Sequence, residues 1–310
     1  PFYDVSAATG DASDMLEDAA RHDEKHPLFV LADAGSTRES AHGLDLLAAY
    51  EAPRVVVDGD AADAEIDDRV DALAATPETT SAVLAATVAA AVNPDVRGDV
   101  GHLPAISYWE AAPDAYADLA ATAGYDPEDV ADLRAAVALE AYYQSYEDKR
   151  EIIQDLLWGE RNGALADHIA GQFREKLDTE LATVDAHVER RDLGGASLSL
   201  LDAAAFTHRF DFPPTTLLLD ALHRQERDRE GPPHVTVVVD EAELRVRSTE
   251  PVDIRNVGEA VAEAVPDAGV RARGSHDGRI EFLKGERVDA IDATVAALGD
   301  RVAVGNPVED

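Results

Sequence analysis

Cysteine is absent from this chain, methionine occurs once, and lysine supplies only four of the 27 basic residues. Without cysteine there is no disulfide framework and no thiolate metal site, which leaves aspartate, glutamate and histidine as the strong metal ligands. Aromatic residues are scarce at 5%, so the 45% hydrophobic content is mostly aliphatic and suits an alanine-rich globular core. No apolar run approaches the ~18 residues of a membrane span and no signal peptide is visible, so no membrane partner is expected. Basic charge is the other shortage: 63 acidic residues leave a formal net charge of -36. In dilute buffer that self-repulsion opposes compactness, whereas in multimolar salt the Debye length is roughly 3 Å or less and the repulsion is screened. The composition therefore reads as adaptation to a high-salt cytoplasm, with most acidic runs forming a solvated surface. The sequence opens on "PFYDVSAATGD" without a methionine and reads as a fragment, so a motif missing from its start weighs little.

At 310 residues the chain is long enough for two domains. Residues 28–35 and 54–58 are continuous apolar runs that read as strands buried on both faces. Between them Leu44, Leu47 and Ala48 recur at helical spacing and Pro53 follows the end, giving a strand–helix–strand unit and hence a parallel sheet. Helices are expected at about 65–75 and at 79–92, the second opened by a threonine-rich cap, and 93–109 reads as a loop-rich joint. Residues 127–158 and 162–190 read as long amphipathic helices, the latter with Ile169, Phe173, Leu177 and Leu181 along one side. "DLGGAS" at 192–197 marks a boundary. Beyond it come a strand "SLSLLD", a helix near 214–228, a hairpin of "HVTVVVD" and "ELRVRS", a helix near 255–265, a strand "GRIEFLKG" and a helix at 286–298. The expected fold is α/β, with residues 1–190 forming a parallel-sheet domain plus helical connector and 191–310 a smaller α/β domain.

Two constellations carry possible chemistry. Asp33 and Asp58 each end an apolar run, which places two carboxylates at the carboxyl ends of adjacent parallel strands, where open α/β sheets bind ligands. Asp60 follows two residues later. Carboxylates in that position suit Mg2+ or Mn2+, and equally they suit turns and helix caps. The second constellation is "RARGSHDGRIEFLKG" at 271–285, where Gly274 and Ser275 present His276 ahead of a strand, with Arg271, Arg273 and Arg279 clustered around it. His208 and Arg209 add basic groups in "FTHRFDFPP". In so acidic a chain, local basic clusters run against the trend and point to phosphate. Tyr108, Trp109, Phe210 and Phe212 are candidates for base stacking or for ordinary packing.

The order of an apolar strand with Asp33, a helix, "VVVD" with two further residues, a helical middle and a glycine-containing turn before His276 resembles the DHH phosphoesterase family. It is most similar to the archaeal RecJ-like branch with its DHH-associated domain. The resemblance rests on "HPLFVLADAGSTRES", "RVVVDGD", "DVGHLPAISYW", "THRFDFPP" and "RGSHDGRIEFLKG". It implies a DHH-type parallel-sheet domain followed by a substrate-binding domain, and a family activity of Mn2+-dependent hydrolysis of single-stranded nucleic acid or small nucleotides. Residue by residue, it gives Asp33 a metal-binding role and aligns Asp58 with the aspartate of Asp-His-His. Gly59 and Asp60 stand where the two histidines belong. His276 matches the histidine of the family's GGGH turn, with Gly274 retained and Arg273 and Ser275 at flanking glycine positions. The family's first motif, an Asp-x-Asp on the opening strand, has no match and is expected either upstream of Pro1 or not at all, while Asp99 and His102 fall near the later acidic motif. Two readings follow. One is a protein with an incomplete site that binds single-stranded DNA or RNA or serves as a replication or repair scaffold of the GINS-associated type, with no resident metal. The other is an active exonuclease in which Asp33, Asp58 and Asp60 hold Mn2+ or Mg2+.

Overall fold

The computed structural model describes residues 28–49, 53–76, 78–144, 146–158, 163–205, 212–274 and 277–305. Contacts divide the chain into two units, residues 1–173 and 174–310.

The first unit is built on a parallel sheet in the order β1-β2-β3, from Phe29–Ala32, Arg54–Asp58 and Ala72–Ala75. Its register pairs Phe29 with Arg54 and Val55 with Ala72, so all three strands end at one edge. Helix α1 (Ala41–Ala48) crosses between β1 and β2 and buries Leu44 and Leu47. Leu44, Val56 and Ile66 form a small core with Leu31 and Leu73. The strand–helix–strand unit is as expected, with two corrections. Residues 72–75 are a strand preceded by a 3-10 turn at Asp67–Arg69, where a helix at about 65–75 is expected. An apolar run of four has no periodicity to separate strand from helix, and pairing with β2 decides for strand. β1 alternates, with Val30 58% exposed, so it is not buried on both faces.

Helix α2 (Ser81–Val92) starts where Thr80 caps it, its hydroxyl accepting the Val83 amide at 3.3 Å. The expected joint at 93–109 contains a 3-10 turn at Pro94–Arg97 and a short helix α3 (Leu103–Ile106). After α4 (Asp114–Thr122), the stretch 127–158 is two helices, α5 (Pro127–Gln144) and α6 (Arg150–Trp158), rather than one. Asp148 breaks the run by capping: it accepts both the Arg150 amide and its guanidinium. Helix α7 (Gly163–Asp185) runs across the division between the units.

The second unit has a six-stranded mixed sheet in the order β4-β5-β6-β7-β9-β8. β5 (Ser197–Asp202) and β6 (His234–Val239) are parallel, joined through α8 (Thr215–Glu230), and the remaining pairs are antiparallel. The hairpin of β6 with β7 (Glu243–Ser248) is as expected. β4 (Glu189–Asp192) and β8 (Arg271–Gly274) are strands that the sequence pattern does not reveal, because neither carries an apolar alternation. β9 (Asp277–Glu281) pairs with both β7 and β8. Helices α9 (Ile254–Ala264) and α10 (Arg287–Gly305) cover one face over a core of Leu198, Val235, Val237, Leu244, Val246 and Ile280. α9 lies close to the sheet because position 278 is glycine, where a Cβ would come within 2.2 Å of Ile254 Cγ1. On the opposite face α8 packs Leu218, Leu219 and Leu222 against Leu201 and Val238.

Polar groups are threaded through that second layer. Glu226 on α8 is 0% exposed and takes a fork from Arg190, with Nε to Oε2 at 2.6 Å and Nη2 to Oε1 at 2.8 Å. Arg229 Nη1 and Ser199 Oγ each donate to it at 2.8 Å. Burial raises the Glu226 pKa, but the Arg190 and Ser199 hydrogen bonds outweigh it and hold the carboxyl below its ordinary value. Alongside, Ser197, His234, Thr236 and His223 form a chain with contacts of 2.7, 3.1 and 2.9 Å. Burial lowers the His234 pKa against the opposing pull of Glu226 and Glu230, so this imidazole is held neutral.

Candidate functional site

The three parallel strands end together, and the backbone ladder continues past them: Asp33 N donates to Val57 O at 2.9 Å and Thr76 N to Asp58 O at 3.1 Å. Asp33 and Asp58 are thus the next residues in register at the carboxyl edge, as the sequence implies. Asp33 has φ of 59°, in the left-handed region that aspartate tolerates better than most residues. That geometry sets the carboxylate at the start of α2. Its Oδ1 accepts the Ser81 hydroxyl at 2.5 Å, and the same Ser81 Oγ accepts the Gly59 amide at 2.7 Å. One hydroxyl therefore couples the end of β1, the turn after β2 and the first turn of a helix, where a negative charge is favoured by the helix dipole.

Asp58 is 5% exposed, and the charge is answered by neutral donors. Its Oδ2 accepts the Ser36 hydroxyl at 2.7 Å and the Ser36 amide at 3.3 Å, while Oδ1 accepts the Asp60 amide at 3.2 Å. Ser36 is itself fully buried. Asp60 is exposed and sits in the turn, its backbone supporting Asp58. Ser36 and Ser81 are the residues that sequence reasoning passes over. Ser36 stands beyond the end of β1 in "AGST" and Ser81 directly after the Thr80 cap in "ETTS", and neither spacing marks a partner for an aspartate.

Position 59 is tight. A Cβ built on Gly59 would meet Ser81 N at 3.0 Å and both Ser81 Oγ and Thr79 O at 3.1 Å. Two of these neighbours are backbone atoms that cannot swing away. A paired-ion cage with metals ~4 Å apart needs ligands converging from several directions. Here both oxygens of Asp58 and one of Asp33 are engaged by hydroxyls and amides, and Gly59 contributes no ligand. Among the described residues, no group of three or more histidine, aspartate and glutamate side chains is arranged to hold an ion. The described donors at this edge are thus the carboxylates of Asp33 and Asp58, with Asp60 in the adjoining turn.

Of the phosphate-site candidates, Gly274 ends β8 with φ of 99° and Arg273 lies opposite Arg279 in the β8–β9 register. Ser275, His276, His208 and Arg209 lie outside the described residues. Phe210 does too. Tyr108 and Trp109 are engaged in packing: Tyr108 stacks on Tyr116 at 5.9 Å, and Trp109 on Phe173 at 5.7 Å with the Arg134 guanidinium 5.8 Å from its ring. His102 is buried, stacked on Tyr125 at 4.3 Å and hydrogen-bonded to the Leu157 carbonyl at 2.9 Å. Burial lowers its pKa more than the carbonyl raises it, which marks a neutral ring locking α3 to α6. No helix among the described residues is long and apolar enough to cross a membrane.

No family model matches the chain. A Methanocaldococcus jannaschii protein described as uncharacterized is 27% identical over 93% of this chain, and the chain spans 44% of that protein's length. A solved DHH domain, described as a member of the S1p family of ribosomal proteins, is 27% identical with a TM-score of 0.81, covering 96% of this chain and 75% of its own. The RecJ of Thermus thermophilus in complex with Mn2+ shares the fold at 16% identity and a TM-score of 0.59, covering 92% of this chain and 47% of its own. An exonuclease RecJ bound to manganese does so at 14% identity and a TM-score of 0.51, covering 98% of this chain and 82% of its own. The mixed architecture, with its parallel sheet and its second six-stranded sheet, is thus a DHH-type fold.

Proposed function

We propose that this chain is a nucleic-acid-associated relative of the DHH phosphoesterases whose catalytic cage is incomplete. On this reading it holds single-stranded DNA or RNA, or scaffolds a replication or repair assembly of the GINS-associated type, in a high-salt archaeal cytoplasm. The observation that carries the reading is the tight packing at Gly59. The position aligned with the first histidine of Asp-His-His carries no side chain, and a Cβ there would press on Ser81 and the Thr79 carbonyl at 3.0–3.1 Å, with the Ser81 hydroxyl already taking the Gly59 amide. The likeness to RecJ exonucleases supports single-stranded nucleic acid as the ligand class. The net charge of -36 does not oppose this. In multimolar salt, counterion release contributes little to affinity, so hydrogen bonds and shape carry recognition instead.

The test is a nuclease assay in multimolar KCl with Mn2+ or Mg2+ on 5′-phosphorylated single strands, alongside capture of GINS by the same protein. Binding without turnover is expected. Turnover that Asp33→Ala abolishes would overturn the reading in favour of an active exonuclease using Asp33, Asp58 and Asp60.

A further inference from the structure

Three strands of the second unit carry arginine at alternate positions: Arg245 and Arg247 on β7, Arg279 on β9, Arg271 and Arg273 on β8. Alternation puts Leu244, Val246 and Ile280 into the core, so Arg245, Arg247, Arg279 and Arg271 share the opposite face. Arg245 lies opposite Arg279 on neighbouring strands about 4.8 Å apart, and Arg271 stands on the next strand, opposite Glu281. Like charges directly opposite one another destabilise a sheet. In a chain with 63 acids and 27 bases, arginine gathered on one face runs against composition, while Glu243 and Glu281 on that face offset its local cost. Local rules are commonly broken where a ligand is bound.

The adjoining acids orient Arg245 and Arg279. Glu243 accepts Arg245 Nε at 2.9 Å and Arg279 Nη2 at 2.5 Å, and Glu281 accepts Arg279 Nη2 at 2.7 Å. These pairs fix the guanidiniums, while Arg279 Nε is buried with no hydrogen-bond partner among the described residues. Arg247 is held separately by Asp220 of α8. Among the described residues, α9 packs on β8 and β9 from the core side, and the main sheet contacts of α8 are with β6, β7 and β5. The geometry points to this face of β7, β9 and β8 as a binding surface for the phosphodiester backbone of an extended single strand. Oriented guanidinium forks donate bidentate hydrogen bonds to phosphate oxygens, an interaction that outlasts the loss of long-range attraction in concentrated salt. The inference rests on the nucleic-acid reading above and adds to it the residues that grip the backbone, outside the turn at 274–276.

The test is fluorescence anisotropy of labelled oligothymidylate and oligoadenylate with the full chain in multimolar KCl. Arg245→Gln with Arg279→Gln is expected to weaken binding by at least about tenfold, equally for both sequences, since phosphate contacts are sequence-independent. Arg271→Gln, at an exposed position, is expected to lose about threefold and to leave the unfolding midpoint unchanged, so it decides the matter if the double variant misfolds. Wild-type affinity in a folded double variant, or in Arg271→Gln, overturns the inference while leaving nucleic-acid binding intact. A wild-type chain that binds neither oligonucleotide overturns both. A change in sedimentation in place of a change in affinity assigns the face to a second copy and also overturns it.

Discussion

The two sheets solve the same problem in different ways. Each brings carboxylates into places where water cannot reach them freely. At the edge of β1–β3 the buried Asp58 is answered by one hydroxyl and two amides. Beneath the six-stranded sheet the buried Glu226 is answered by two guanidiniums and a hydroxyl. Neutral donors stabilise an anion without adding a second desolvated charge, and they leave the site electronegative. Ion pairs cancel the charge but tie the element to its partners, so that removing one member strands the others. The first arrangement holds its carboxylate with neutral donors at a strand edge, and the second has the form of a structural clamp.

Cutting the clamp should have the largest effect. Glu226→Ala leaves Arg190 and Arg229 without their shared carboxylate, and breaking a buried pair costs roughly 3–5 kcal/mol. Because the two arginine side chains are 32% and 41% exposed, we expect the lower end, about 3 kcal/mol by denaturant unfolding in high salt. At the other sheet, Gly59→Ala should cost about 2 kcal/mol, within the range for overpacking, because the new methyl meets backbone atoms at about 3 Å. Gly98→Ala, where nothing lies within 4 Å, is the matched control and should be nearly neutral. Ser81→Ala should cost about 1 kcal/mol, the worth of an ordinary hydrogen bond, as it removes the acceptor for Gly59 and the donor for Asp33. If Gly59→Ala is silent, position 59 is open and the contrast between the sheets fails.

The smallest effect expected is on pH dependence. The pKa of His234 is lowered in the folded state by burial, so the unfolded chain takes up the proton first as pH falls. This residue contributes stability above its unfolded value of 6.5 and loses it below, down to the lowered folded value. His102 behaves in the same direction for the same reason. The carboxylates of so acidic a chain titrate nearby, so the measurement is the difference between wild type and His234→Asn across this window. The wild type should lose stability faster on acidification, and parallel curves would contradict the assignment.

Much of this was legible in the sequence. Two apolar runs ending on Asp33 and Asp58 implied adjacent parallel strands, and the register bears that out. The β5–α8–β6 unit and the β6–β7 hairpin were equally plain, because alternation and turn residues agreed there. β3 was hidden, since "ALAA" carries alanine's helix preference and only pairing with β2 makes it a strand. β4 and β8 were hidden as well, being charged edge strands defined by their neighbours. At the site, the aspartates were visible and the serines were not. Their role depends on which backbone groups the fold brings within hydrogen-bonding reach, and no spacing rule encodes that.

The most direct measurement is an electron paramagnetic resonance titration of Mn2+ into the full chain in multimolar KCl, where diffuse attraction to the acidic surface is screened. The account predicts that the spectrum of free aqueous Mn2+ grows in proportion to the metal added, and that Asp58→Ala changes nothing. Loss of that signal up to two ions per chain, restored by Asp58→Ala, would contradict it.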